Sequence, residues 1–222
     1  CIKEYDIKMD EEITIIDSNA RNERIKNFFI NNKKKLIITV SIIIVIIIGY
    51  ISFEKSKERT KIKLGNQYNL ATINYKTEDP KNTIKDLINI IKENDVTYSP
   101  LALYFLIDNN LVKELEEINI LFDELINKTN LEKEIKNLNI YKKGLFNSNF
   151  VSENELLKIL NPIINSESIW KSHSLYLVAE YFYSKGEKQK AKEFFNQILV
   201  LPQANNEIKL ASKKRLNRDL SE

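Results

Sequence analysis

Few residues in this chain are equipped for chemistry, and their spacing narrows what they can do. The sequence holds one His and one Cys, too few for a Cys/His zinc site or an internal disulfide. His173 has no Ser or Cys set beside it by a nucleophile motif. No phosphate-binding loop, dinucleotide fingerprint, nucleophile elbow or His-Glu-x-x-His pattern occurs. The expectation is therefore a protein without catalysis, cofactor or metal. Glu114, Glu116 and Glu117, with Asp123 and Glu124, are spaced as the solvated face of an amphipathic helix rather than as an acid–base pair. A more directed pattern lies further on. His173, Tyr176, Glu180 and Tyr183 recur at i, i+3, i+7 and i+10, which puts them on one side of a helix. Leu175, Val178, Ala179 and Phe182 fall on another side. Two tyrosines with a Glu between them suit contact with a polypeptide, because Tyr joins apolar area to a hydroxyl. These four are the candidate partner-binding residues.

The elements that must position them are helices. In 222 residues there are only 4 Gly and 4 Pro, whereas sheet proteins draw heavily on both for tight turns. Hydrophobic residues make up 43% and charged ones 29%, enough apolar material for a packed core. A net charge of +3 gives no reason to expect nucleic acid as a partner.

Leu36 to Phe53 reads LIITVSIIIVIIIGYISF, 18 residues without a charge. At 1.5 Å per residue such a run spans about 27 Å, close to the thickness of a bilayer's hydrocarbon core. Its flanks carry Lys33, Lys34 and Lys35 before, Glu54 and Lys55 after, and Tyr50 near the far interface. No small-residue cleavage pattern follows, since Tyr50-Ile51-Ser52-Phe53 is bulky, so the run reads as an uncleaved anchor. The Lys triplet beside the membrane places the N-terminus in the cytoplasm. Met9 is the single Met, and the expectation is a start there with residues 1–8 upstream of it; the rival reading of Cys1 as a lipidated terminus makes a second, redundant anchor.

Behind the anchor the chain reads as successive helices. Asp79-Pro80 and Ser99-Pro100 each give a capping residue followed by Pro in the first turn. Ile84, Leu87, Ile88 and Ile91 form one apolar stripe; Leu111, Leu115, Ile118, Phe122 and Leu125 the next; Leu131, Ile135, Leu138, Tyr141 and Leu145 another. Leu156, Leu157, Leu160 and Ile164 follow, then helices from Trp170, Glu187 and about Asn205. Turns at Asn109-Asn110, Ser148 and Gly186 lie about 38 residues apart, the spacing of stacked helix pairs. The last pair resembles a tetratricopeptide unit: Gly186 at the turn, Ala191 and Phe195 five and nine residues on, Ala179 and Phe182 on the preceding helix, Pro202 closing it. That likeness implies that the His173–Tyr183 stripe lines a concave, peptide-binding surface. The final helix, with Lys209, Lys213, Lys214, Arg215 and Arg218, is expected to be a solvated cap.

The order of parts carries a wider resemblance. Asp10-Glu11-Glu12 leads into Arg21-Asn22-Glu23-Arg24-Ile25-Lys26-Asn27-Phe28-Phe29, then a basic stretch and one membrane helix. The Trp170…Ala179-Glu180…Lys185-Gly186-Glu187…Ala191 stretch follows. From Met9 onward this resembles the YfgM-like family of ancillary subunits of the bacterial Sec translocon. The expected fold class is all-α: a single N-terminal transmembrane helix, then a tetratricopeptide-like helix-pair solenoid. Residues 1–35 would be the cytoplasmic segment, 36–53 the transmembrane helix and 54–222 the repeat domain. The resemblance implies a bacterial inner-membrane protein with a periplasmic domain. It also implies the SecYEG translocon, periplasmic chaperones or exported clients as partners. A second reading makes the chain a bitopic scaffold that signals through its cytoplasmic tail, Met9 to Asn32.

Overall fold

The structure, a computed structural model, describes residues 2–75 and 80–220, with side chains from residue 21 on. The capping role expected of Asp79 lies outside the described residues. Among the described residues the fold is all-helical, with no strand. By contacts the chain divides into two units, Cys1–Thr60 and Lys61–Glu222.

Helix α1 runs Ile2–Asn74. Its apolar run is long and apolar enough to span a membrane, and none of it is buried. Val45, for example, is 68% exposed. A core helix of a soluble protein would be covered at such positions. Later in the same helix Leu64 and Ala71 are buried, with Tyr68 packed against the core. Gly65 sits so near the Tyr98 hydroxyl that a Cβ there would lie 2.5 Å from it, so the close approach depends on the missing side chain.

Among the described residues eight further helices follow in the second unit: α2 Pro80–Lys92, α3 Tyr98–Asp108, α4 Leu115–Lys128, α5 Lys133–Asn147, α6 Glu153–Ile164, α7 Lys171–Ser184, α8 Lys188–Val200 and α9 Asn206–Asp219. From α2 to α9 each helix packs on its successor. Leu87, Leu103, Leu125, Leu160, Val178 and Phe195 are among the fully enclosed side chains of one continuous core.

The turns are made by residues that accept a left-handed backbone. Asn110 has φ 50° and Gly186 φ 80°, conformations that favour Asn and Gly. After α7 the Glu187 N–H donates to the Phe182 carbonyl at 2.9 Å and Gly186 N–H to Tyr183 at 3.0 Å, a Schellman ending. After α3 Leu111 and Asn110 donate to Leu106 and Ile107 in the same way. Leu111 is thus the residue that tucks back onto the ended helix, and α4 begins at Leu115 rather than at Leu111.

Two further expectations are corrected. Ser99 does not cap α3: the Asp95 carboxylate accepts from the N–H groups of Thr97 and Tyr98, both at 2.8 Å. The buried Ser99 hydroxyl instead donates to the Ile90 carbonyl. The apolar stripe predicted for α5 is only partly its inward face: Leu131 and Tyr141 pack against the core, but the rest does not follow. Ile135 and Leu145 are 43% and 50% exposed, while Asn137, Ile140, Gly144 and Asn147 are buried. An asparagine-rich face can be enclosed because its amides are bonded. Asn137 donates to Ser168 Oγ at 3.0 Å, and Asn139 accepts from the Tyr104 hydroxyl at 2.7 Å. Asn147 and Asn119 exchange two amide bonds at 2.8 and 2.9 Å.

Candidate functional site

The four residues of the α7 stripe do not share one surface. His173 lies against Trp170 and Tyr141, ring centroids 5.1 and 5.9 Å away, and those two rings stack on each other at 5.8 Å. Its Nδ1 is buried with no hydrogen-bond partner among the described residues. Burial pushes its pKa below the ordinary value; the Ile169 backbone, a hydrogen-bonding neighbour of the ring, acts the other way. Tyr176, Glu180 and Tyr183 are instead met by α9. The Glu180 carboxylate accepts from Arg215 Nε at 2.7 Å and Nη2 at 2.8 Å. The same guanidinium stands 4.9 Å from the Tyr183 ring centre. Tyr176 packs edge-on against Phe195, centroids 5.5 Å apart. Desolvation raises its pKa, with the nearby Glu180 adding to that. Arg215 also donates to Asp219, and its pKa is raised, chiefly by the bond to Glu180.

Arg215 is therefore half-buried in an ion-pair network, not part of a solvated face, while Lys213 and Lys214 are exposed. The sequence pattern of α9 did not reveal this. Arg215 lies in a run of cations, and its contacts on α7, with Tyr183 and with Glu180, 35 positions away, set it apart.

A different concave surface lies between α4, α5 and α6. It is a trough of about 550 Å³, within the range of ligand-binding clefts. Three helices each present one regular stripe to it. From α4 come Asn119, Asp123, Ile126 and Asn127. The α5 stripe is Lys136, Ile140, Lys143 and Asn147. From α6 come Glu155, Lys158, Ile159 and Pro162, and Val151 adds to the lining. The spacings are those of residues sharing one helix face. The geometry has local causes. α6 starts on a capping box, in which Ser152 Oγ accepts from Glu155 N–H and the Glu155 carboxylate accepts from Ser152 N–H. Gly144 lets α6 approach α5, since a Cβ there would meet Leu160 Cδ2 at 2.5 Å. The Asn119–Asn147 pair joins α4 to α5.

What this surface offers is mixed chemistry. Ile126, Ile140, Val151 and Ile159 give apolar area. Lys143 Nζ is held by Asp123 Oδ1 at 2.7 Å. Pro162, having no N–H, cannot donate to the Lys158 carbonyl within the helix. Among the described residues no group of three or more His, Cys, Asp or Glu side chains could hold a metal. Sequence reasoning missed the trough because its α5 stripe is polar or small where a core-facing stripe is expected to be apolar. The Ser-x-x-Glu capping signature at Ser152 was the one local signal that α6 would start where it does.

Comparison with known proteins gives no match: no family model, no curated protein and no solved structure aligns significantly with this chain.

Proposed function

We propose that this chain is a membrane-tethered, protein-binding adaptor whose α4–α6 trough receives polypeptide segments of its partners. The observation that carries this reading is the pairing, in one chain, of a wholly exposed membrane-length apolar run with a helical unit that holds an open, mixed-polarity trough. Tethering raises the local concentration of a weak binder near its client, so modest affinity suffices. The preferred partners are those that the YfgM-like resemblance implies: the SecYEG translocon, periplasmic chaperones or chains in export, with the N-terminus cytoplasmic and the helical unit periplasmic at the bacterial inner membrane.

A tetratricopeptide-like arrangement of the helix pairs belongs to the same proposal. Its support is the Gly186 turn, with Ala179, Phe182, Ala191 and Phe195 all enclosed around it, as small and aromatic positions must be where two helices approach closely. Helices that pack each on its successor agree with it.

The test is recovery of the full chain from membranes in mild detergent, with its companions identified by mass spectrometry. Enrichment of translocon subunits or chaperones supports the adaptor reading; clean recovery with neither contradicts the proposed partners.

A further inference from the structure

The lining of the trough points to the charge of what it holds. Of its cations, Lys143 is already neutralised by Asp123. Lys136 and Lys158 make no ion pair among the described residues. The Glu155 carboxylate is turned to the start of its own helix, where it accepts from Ser152 N–H at 3.1 Å and Ser152 Oγ at 2.9 Å; those bonds hold its pKa below the ordinary carboxylate value. Glu155 stays ionised and feels the Lys158 ammonium on the same helix. With three lysines against Asp123 and Glu155 the lining keeps a positive excess, and Lys136 on α5 is its cation without an acidic neighbour in the trough.

The uncommitted polar groups suit a main chain. Asn119 Nδ2 gives one N–H to Asn147 and has a second to give. Asn127 is exposed and its side chain makes no hydrogen bond among the described residues. Donors and acceptors of this kind are useful to an extended peptide, whose own N–H and C=O groups are unpaired, and useless to a helix, which satisfies its own. A helix about 10 Å across would also fill 550 Å³ within roughly one and a half turns.

We propose that the trough's occupant is an extended, Asp/Glu-rich stretch of polypeptide. Its carboxylates meet Lys136 and Lys158, and its backbone is read by the side-chain amides of Asn119 and Asn127. This rests on the reading of the trough as a polypeptide site, and the test separates the two. The full chain in mild detergent is titrated, by fluorescence anisotropy, into short fluorescein-labelled peptides of repeated Asp-Gly-Ser, Asn-Gly-Ser and Lys-Gly-Ser. The acidic peptide should bind at least about tenfold more tightly than the neutral one at low salt, with the gap closing as salt is raised. Lys136→Glu with Lys158→Glu should remove that preference, and the milder Lys136→Gln with Lys158→Gln should halve it or more; circular dichroism and melting checks that both variants are folded. If neutral and acidic peptides bind alike and charge reversal changes nothing, or the basic peptide binds best, the acidic occupant is wrong while the polypeptide site stands. If no peptide of any charge binds, the trough is not a polypeptide site and both readings fall.

Discussion

At the residue scale, His173 shows how an aromatic setting turns a titratable side chain into a liability in acid. Trp170 and Tyr141 flank the ring and keep water from it, so the charged form is penalised and the folded-state pKa is depressed despite the opposing Ile169 backbone. The unfolded chain, by contrast, takes up the proton near the ordinary value of 6.5. The contribution is thus intact above about pH 6.5 and declines as pH falls through the lower folded-state value. Melting profiles taken between about pH 7 and pH 5 should slope downward for the native chain and less so for His173→Phe. Identical slopes would mean that this ring is not the responsible group.

Arg215 gives a second residue-level expectation. Its fork joins Glu180 and Asp219 and lies against the Tyr183 ring. These contacts are partly screened by solvent, so Arg215→Ala should destabilise by only about 1 kcal/mol, read from a denaturant midpoint. A loss several times larger would show that α9 depends on this side chain more than its half-exposed position allows. Gly144 is less forgiving. Any Cβ there meets the fully buried Leu160, and Gly144→Ala should cost about 1–3 kcal/mol through overpacking.

At the scale of elements, α5 decides the trough. Its enclosed face carries Asn137, Asn139 and Asn147, and the Asn119–Asn147 exchange ties α4 to it alongside the Lys143–Asp123 ion pair. Truncating either partner strands the other's amide. Asn119→Ala and Asn147→Ala should therefore each cost about 1–3 kcal/mol. The double variant should cost clearly less than their sum, because a pair lost together leaves less unsatisfied. Strict additivity would show that the two amides act independently.

The same helix explains where legibility stops. The apolar run of α1 is readable because eighteen uncharged residues admit few alternatives. The turns at Asn110 and Gly186 are readable because few residue types accept a left-handed backbone. The α7–α8 pairing is readable from Ala179, Phe182, Ala191 and Phe195, whose small and aromatic sizes signal their places. The inward face of α5 is not, because burial of asparagine depends on partners from α3, α4 and the α6–α7 connection. Periodicity alone ranks Ile135 and Leu145 above Asn137 and Asn147, and the packing reverses that order. Ser99 failed as a cap for a related reason: an aspartate four residues earlier took the role through its own carboxylate.

At the scale of the whole molecule, the apolar run and the helical unit make separate demands. Alkaline washing should leave the chain in the membrane fraction, since a helix of this length exposes about eighteen residues with no buried alternative. Replacing Leu36 to Phe53 by a polar linker should release it. Retention of that variant would show that the helical unit itself holds the bilayer.

Site-specific photo-crosslinking in intact cells, from a photoreactive residue at Asn127 of the full chain, tests most directly whether the trough is a working polypeptide site beside a membrane. The account predicts adducts with translocon subunits, chaperones or exported chains from position 127 that the Lys136→Glu, Lys158→Glu variant loses, and few from the exposed Glu193 on α8. Adducts from both positions alike, or none from Asn127, would contradict it.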